Sequence, residues 1–220
     1  MYGQALGLPG GGLVVGGDFV VSLRFGATEV CSTGEPDEDI YLGCLDATGT
    51  AKWLVRAGGA MLDALEGLAQ LPDGSILAVG TCGYRIAESS FPPHWVHYRG
   101  WGADTLEWAR DRLAQANADP VFGAGEPGER TLPHEGISTL AIACYRDDGT
   151  LRWVEGILPS CYGGEVVAWN DGSFAVAGMR YGVLRREIPG RPPAGLISSA
   201  SACSVFLIRY ASATIGAATP

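Results

Sequence analysis

Two histidines stand close enough in the sequence to share a metal ion or a ligand. His94 and His97 are spaced as His-x-x-His, and His134 is distant from both. Zinc sites use three or four ligands, and no carboxylate stands at ligand spacing beside this pair. Surface histidines are the commoner explanation of such a pair, so we predict neither a metal site nor a cofactor.

The carboxylates form short runs that match no catalytic or calcium-binding pattern. Residues 37–39 and 147–148 lack the Asp-x-Asp-x-Asp-Gly order of a calcium loop, and we expect them in solvated turns. Glu126 and Glu129 could act as acid and base, although their spacing alone does not indicate it. Glycines 10–12 lack the Lys-Ser or Lys-Thr of a phosphate loop, and the chain has no Gly-x-Ser-x-Gly motif. We therefore predict no catalytic residue, and we favour a protein that is not an enzyme.

A stretch rich in aromatic residues offers the best candidates for binding a ligand. It lies within residues 85–121, which hold half of the six tryptophans and two of the three histidines. Because aromatic rings on loops often contact ligands and partner proteins, we predict a binding role here. The candidate residues are Trp95, Trp101, Tyr98, His94 and His97. The alternative is that these rings only cover an edge of the folded domain.

Part of the same stretch has the spacing of an amphipathic helix. In residues 103–117, Asp104 can cap the first turn, and apolar residues recur at positions 106, 109, 113 and 116. Pro120 would end the helix. We expect this one helix in a chain that is otherwise patterned for strands.

The six cysteines fall into two groups. Cys44 and Cys144 stand within apolar strands, where a free cysteine behaves as a small buried hydrophobic residue. The other four lie near loops or strand starts and are disulfide candidates, as an even cysteine count allows; they are Cys31, Cys82, Cys161 and Cys203. We expect the pair Cys82–Cys161 first. No Cys-x-x-Cys motif indicates a zinc ribbon or a redox site.

The elements that must position these residues recur along the chain in a fixed order. Residues 71–80 (LPDGSILAVG) recur at 169–178 (WNDGSFAVAG), with a degenerate copy at 8–16 (LPGGGLVVG). A Phe-Gly step follows at residues 25–26 and again at 122–123. Recurrence of this kind indicates a repeat architecture.

The longest match joins residues 39–53 (DIYLGCLDATGTAKW) and 139–153 (TLAIACYRDDGTLRW). The two stretches align at an offset of 100, which pairs the two cysteines and the two tryptophans. Residues 204–210 are a third copy that stops before its tryptophan. Chance similarity between short apolar runs does not explain several kinds of element recurring in the same order.

Each repeat predicts four short antiparallel strands, one of them beside the Phe-Gly step. Asp-Gly pairs suit tight hairpins because both turn residues adopt positive φ at little cost. Four such strands per repeat are the sequence signature of a β-propeller blade, and stacked blades bury one another's apolar faces. We therefore predict an all-β fold with about two and a half to three blades. A β-sandwich built from the same strands is the alternative.

We expect a single incomplete propeller domain over residues 1–220. Blade one takes residues 9–70, and blade two takes residues 71–168 with the insertion at 85–121. Blade three, which is truncated, takes residues 169–220. Since closed propellers usually have about four to eight blades, we expect either a fragment of a longer propeller or an arc that closes by self-association.

Composition excludes several classes of function. Acidic residues outnumber basic ones 24 to 15, for a net charge of −9, which disfavours binding to nucleic acid. A hydrophobic content of 47% argues against disorder. The apolar runs are too short to cross a bilayer as helices, so we predict no transmembrane segment. The chain as given contains no signal-peptide pattern.

The repeats resemble a known family. Asp-Gly before a strand, the Phe-Gly step and the run at 39–53 are similar to the bacterial β-propeller repeats of exported proteins and lipoproteins, called SBBP-type or delta-60-type repeats. The resemblance covers most of residues 7–210, apart from about 85–121. Two departures are Gly10-Gly11 in place of Asp-Gly and Tyr181-Gly182 in place of Phe-Gly.

The resemblance implies an extracytoplasmic location: periplasm, cell surface or secreted. It also implies a non-enzymatic binding or scaffold module with a protein or glycan partner, because this family has no general catalytic motif. The alternative is a carbohydrate-binding or carbohydrate-active propeller that uses the aromatic insertion. A third hypothesis is a fragment with no independent function.

Overall fold

The computed structural model describes residues 3–33, 38–84, 119–133, 138–158, 161–180, 185–187, 194–195 and 204–211. These residues form strands joined by turns and contain no helix, which confirms the all-β prediction. The predicted helix at 103–117 lies outside the described residues. In the described part of the chain, no helix is long and apolar enough to cross a membrane.

Seventeen strands are described. In chain order they are β1 (Gly3–Gly7), β2 (Leu13–Phe19), β3 (Ser22–Phe25), β4 (Thr28–Cys31), β5 (Asp39–Leu45), β6 (Ala51–Gly58), β7 (Leu62–Gln70), β8 (Ile76–Tyr84), β9 (Val121–Phe122), β10 (Arg130–Thr131), β11 (Thr139–Tyr145), β12 (Leu151–Leu158), β13 (Cys161–Ala168), β14 (Phe174–Arg180), β15 (Arg185–Glu187), β16 (Ala194–Gly195) and β17 (Ser204–Tyr210).

The strands form three main sheets and one hairpin. Sheet one has the order β1-β2-β5-β6-β9-β10, and sheet two has the order β7-β8-β11-β12-β15-β16. Sheet three is β13-β14-β17, and β3 pairs with β4 alone. The pairings are antiparallel, and none of the sheets closes on itself.

The sheets begin one strand earlier than the repeats suggest. Strand β7 would fall at the end of the first repeat, but it pairs with β8, and β13 likewise pairs with β14. The reason is the Asp-Gly turn, because a tight hairpin pairs the two strands that flank it. In the first of these turns Gly74 has φ +86°, and the Leu71 amide donates to the Ser75 carbonyl at 2.8 Å.

The Phe-Gly strands also differ from the expectation that they belong to their own repeat. In the second repeat, β9 pairs with β6, the outer strand of the preceding sheet. In the third repeat, β15 lies a few residues after Tyr181-Gly182 and pairs with β12 in the same way. In chain order, β9 follows β8 and β15 follows β14, the second long strands of sheets two and three. Strands β9 and β15 nevertheless pair with the fourth strand of the preceding sheet and cover its edge.

Two apolar layers hold the three sheets together. Ile40 and Leu42 of sheet one pack with Ala141 and Tyr145 of sheet two. On the opposite face of sheet two, a second cluster joins it to sheet three; it includes Leu140, Ile142, Cys144, Phe174, Val176, Phe206 and Tyr210. Strand β11 is buried at all seven positions because sheet two has a neighbour on each face.

The first strands of the sheets also contact one another. Strand β7 packs against β1 of sheet one and against β13 of sheet three. The three sheets therefore approach one another at their first strands. The fourth-strand edges of sheets one and two carry the added strands β9–β10 and β15–β16.

Two equivalent tyrosines differ in their hydrogen bonds across these layers. Tyr210 of sheet three donates its hydroxyl to Glu155 on the outer strand of sheet two. Tyr145, in the same register of sheet two, has a buried hydroxyl with no partner among the described residues. The position that matches Glu155 in sheet one is Val55, which packs against the same cluster as Tyr145. Valine offers no acceptor, so the Tyr145 hydroxyl is left unpaired.

Replacing each tyrosine with phenylalanine should distinguish the hydrogen-bonded Tyr210 hydroxyl from the unpaired Tyr145 hydroxyl. We expect Tyr210→Phe to lower the free energy of unfolding by about 1.5–3 kcal/mol, because it removes a hydrogen bond to a buried carboxylate. Tyr145→Phe should change it by less than about 0.5 kcal/mol or raise it, because it removes only an unpaired hydroxyl. Urea unfolding of both variants measures the difference, and equal losses would contradict this account.

Candidate functional site

Two buried carboxyl groups meet where sheets one and two adjoin. Asp39 begins β5 and Asp63 lies near the start of β7, and both residues are 0% exposed. A Cβ atom at Gly58, the last residue of β6, would overlap an oxygen of each carboxyl. The two carboxyl groups therefore face one another across Gly58, and only a glycine at this position leaves room for both.

The Asp63 carboxyl is held by groups from the β6–β7 connection and from the end of β8. It accepts the Gly59 amide at 2.7 Å on one oxygen and the Gly83 amide at 2.7 Å on the other. The thiol of Cys82 also hydrogen-bonds to it. Burial is the largest effect, and together with the nearby Asp39 it raises the pKa of Asp63 well above the usual value in spite of these donors.

The Asp39 carboxyl has polar partners of its own. It receives the Arg56 guanidinium at 2.8 Å and the Thr33 amide at 2.7 Å. Burial raises the pKa of Asp39, while Arg56 opposes the shift. The Arg56 side chain is only 18% exposed, so this ion pair is largely shielded from water.

The chemistry open to this pair is limited by its enclosure. Two close carboxyls can share a proton, which is how some enzymes obtain an acid and a base. Here both side chains are inaccessible, and each of the two Asp63 oxygens accepts a backbone amide. The arrangement pins the connection from β6 to β7 against the end of β8.

Sequence reasoning missed this pair. Residues 37–39 were expected in a solvated turn, which is wrong for Asp39 because it is fully buried. The expectation is correct for Asp147 and Asp148, which are exposed. Asp39 aligns with Thr139 at the offset of 100, and Asp63 aligns with Cys161 at the offset of 98 that relates residues 71–80 to 169–178, so the repeat comparison gave no signal for them.

A further group of acidic side chains lies where the first strands approach one another. Burial raises the pKa of Glu66 on β7, and the charges of Glu165 on β13 and Asp18 on β2 add to the shift. The Thr81 hydroxyl donates to Glu66 at 3.3 Å and accepts the Gly163 amide at 3.0 Å. No group of three or more His, Cys, Asp or Glu residues in the described ranges could hold a metal ion.

A groove of about 400 Å³ lies between sheets one and two at the opposite ends of the strands. Its lining combines the Trp53 ring with charged and amide groups; these are Asp46, Lys52, Gln70 and the Asp147 turn. An aromatic ring beside a few polar groups is typical of sites for small polar ligands. Among the described residues, this groove is our candidate binding site.

Trp53 also links the two sheets at this groove. Its indole nitrogen donates to the Asp147 carbonyl of sheet two at 2.8 Å. Its ring packs over Gly149, whose Cβ would lie 2.9 Å from the ring. The equivalent Trp153 stacks on Phe174 of sheet three, with ring centroids 6.2 Å apart, and its buried nitrogen has no partner among the described residues.

The structure does not reach the residues that the sequence favoured for binding. His94, Trp95, His97, Tyr98 and Trp101 all lie outside the described residues. Their role as ligand contacts stays a prediction. Glu126, one of the two paired carboxylates, accepts the Leu151 amide at 3.1 Å, and Glu129 accepts the Gly125 amide at 2.8 Å.

The cysteines are thiols throughout the part of the chain that is described. Cys44 and Cys144 are buried, which confirms their predicted place in the core. Cys82 and Cys161 are buried thiols, so the disulfide expected first is not formed. The reason is that Cys82 belongs to the layer facing sheet one and Cys161 to the layer on the other face of sheet two. Cys31 is an exposed thiol, and Cys203 lies outside the described residues.

Fold and site together define an all-β protein of antiparallel sheets stacked through apolar layers, with a small groove between the first two. No protein-family model matches the chain, and no curated protein matches it at a significant level. The function must therefore be argued from the geometry of the chain itself.

Asp63 should make the stability of the protein fall as pH rises above about 4. Its pKa in the folded protein is raised, so its stabilising effect is complete below the unfolded pKa and is lost as pH rises through the folded pKa. In Asp63→Asn the urea midpoint should be lower at pH 5 but less dependent on pH between 5 and 8.

Asp46→Asn is the matched control for this change. Asp46 is only partly buried, and its pKa is lowered by hydrogen bonds from Thr48 and Thr50. Its contribution to stability is therefore lost only as pH falls below about 4, and the slope above pH 5 should be that of the wild type. A wild-type slope in Asp63→Asn would show that Asp63 does not titrate in this way.

Gly49 and Gly149 should respond differently to alanine although they occupy the same turn position. Both have positive φ, +82° and +88°, so each alanine carries a backbone cost of about 1 kcal/mol. Gly49 has open space around it, whereas an alanine at position 149 would press on the Trp53 ring. We expect Gly149→Ala to cost about 1 kcal/mol more than Gly49→Ala in thermal or urea unfolding. The excess should vanish in a Trp53→Ala background, and an excess that persists there would rule out the ring as its cause.

Proposed function

We propose that the chain is a run of three β-propeller blades that serves as a non-enzymatic binding or scaffold module. The observation that carries this proposal is the common register of the three sheets. In sheet two, Ile76 at the start of the second strand pairs with Tyr145 at the end of the third. In sheet three, Phe174 pairs with Tyr210 at the same place. Sheets that share strand order and register, stacked face to face, are the arrangement expected of neighbouring blades.

The approach of the first strands supports the same proposal. Blades of a propeller are arranged around an axis, so their first strands lie close together and their outer strands spread apart. Strand β7 contacts both β1 and β13. The outer edges of sheets one and two carry the extra strands β9 and β15. A β-sandwich of two facing sheets would not require these three-way contacts.

A scaffold role follows from how the polar groups are used. The buried Asp39 and Asp63 bind to backbone amides and to Arg56, and Glu155 receives the Tyr210 hydroxyl. These contacts join strands and sheets to one another. The proposed module belongs to the bacterial exported repeats that the sequence resembles, and its proposed location is extracytoplasmic. Four of the described thiols are buried, and a buried thiol is shielded from oxidants, which makes them compatible with an oxidising compartment.

Carbohydrate binding is the second candidate, and the groove at Trp53 is the observation that favours it. Stacking of a sugar ring on an aromatic side chain, with polar groups at the rim, would suit its lining. The aromatic insertion that first suggested this function lies outside the described residues. The two proposals differ in whether a soluble saccharide stabilises the folded protein.

A thermal-unfolding screen against a panel of neutral and acidic oligosaccharides separates the two functions. For a scaffold module we expect a change of less than about 1 °C in Tm at millimolar saccharide. A rise of several degrees that Lys52→Ala abolishes would instead establish a sugar site in the groove. Lys52 is an exposed residue, so this variant should fold normally, and Arg24→Ala on the β3–β4 hairpin is its control. Release of reducing sugar from any member of the panel would overturn the non-enzymatic part of the proposal.

A further inference from the structure

The outward face of sheet three exposes several large apolar side chains, alongside the charged Glu165 and Arg209. Val205 and Leu207 on β17 are 77% and 72% exposed, although they alternate with the buried Phe206 and Tyr210. Val167 on β13 and Met179 on β14 add to the same face. A contiguous apolar patch on a sheet face usually marks an interface.

The register of the sheets shows what this face corresponds to. Counting back from the paired residues at the end of each third strand, Val205 and Leu207 occupy the positions of Leu140 and Ile142 in sheet two. Both of those residues are fully buried against sheet three.

Sheet one repeats the arrangement. There the equivalent residues are Ile40 and Leu42, which are 4% and 1% exposed in the layer between sheets one and two. The exposed face of sheet three is thus the face by which each earlier sheet packs onto the next one.

The opposite end of the molecule presents the matching surface. Sheet two packs against sheet one through Ala141, Ala143 and Tyr145. The equivalent positions in sheet one are Tyr41, Gly43 and Leu45, on the face that points away from sheet two. Tyr41 and Leu45 are partly exposed there, and no other main sheet of the described chain covers them.

The β3–β4 hairpin does not break this equivalence. Phe25 lies over Gly43, where a Cβ atom would be 3.0 Å from its ring. In the next unit, Phe122 occupies the same layer as Ala143, between two packed sheets. A phenylalanine at this place is therefore compatible with a sheet stacked above it.

We propose that the exposed face of sheet three docks onto the outward face of sheet one in a second copy of this chain. The contact is head-to-tail and continues the packing already made twice within the chain. Because both ends of each copy are used, two copies close a ring of six sheets, within the range of about four to eight blades found in closed propellers. This inference rests on the proposed blade architecture and not on what the module binds.

Sedimentation velocity of the full chain from about 1 to 100 μM tests the docking directly. We expect a species with twice the 23.0 kDa mass of the chain. Leu207→Asp should raise the dimer dissociation constant by about thirtyfold or more, because it places a charge in the centre of the apolar contact. Ala124→Asp is the control: it adds the same charge at an exposed residue of the β9–β10 turn, outside both proposed contact faces, and should leave the dimer intact. Circular dichroism and Tm of the variants show whether they remain folded.

A mixing experiment distinguishes head-to-tail contact from a symmetric one. Tyr41→Asp in sheet one should also weaken the dimer, and mixing it with Leu207→Asp should restore one intact contact and a heterodimer. If two third sheets faced each other, Tyr41→Asp would stay dimeric alone, and this result would overturn the proposal. A folded monomer at every concentration would overturn it as well, while leaving the saccharide screen, and with it the proposed function, unaffected.

Discussion

The structure depends on the need of each sheet to bury both of its faces. Strand β11 carries apolar side chains at nearly every position, so one neighbouring sheet cannot cover it. Burial of apolar surface contributes about 25 cal/mol per Å², and a sheet with one bare apolar face would forgo half of this stabilisation. Sheet two meets the need with sheets one and three, which makes it the centre of the described fold. The stacking direction and the spacing of the repeats follow from this packing.

Polar contacts then set how the sheets register against one another. The Trp53 indole reaches the Asp147 turn of the next sheet, and the Tyr210 hydroxyl reaches Glu155 of the previous one. Each bond is made from one unit to its neighbour, so it specifies the relative position of two sheets and not the fold of either. The repeats are not identical in this respect, because Val55 replaces the acceptor that Glu155 provides. The first interface therefore keeps the Trp53–Asp147 hydrogen bond and has no counterpart of the Tyr210–Glu155 bond.

The repeat pattern predicted the strands that lie in the core because their apolar runs follow Asp-Gly turns or recur at a fixed offset in the sequence. An apolar run after Asp-Gly, and the aligned stretches at 39–53 and 139–153, are confirmed as β8, β14, β5–β6 and β11–β12. The pairing of β9 with β6 was beyond this reasoning, since two residues carry no periodicity and their partner belongs to another repeat. The Asp39–Asp63 pair was missed for a related reason. Its residues are far apart in sequence, occur in one unit only, and are brought together by the crossing from β6 to β7.

The coverage of sheet edges changes how the insertions should be understood. An outer strand with unpaired amides and carbonyls invites pairing with other chains, and proteins cover such edges with short strands or loops. Here β9 and β10 follow the long insertion of the second unit and shield β6, while β15 and β16 shield β12. The residues after the insertion therefore act on the preceding sheet, whatever the aromatic stretch binds. Sheets one and two each take the short strands that cover their outer edge from the next unit along the chain. Sheet three would need edge strands from the unit that packs beyond it. A docked first sheet could supply them with its β3–β4 hairpin.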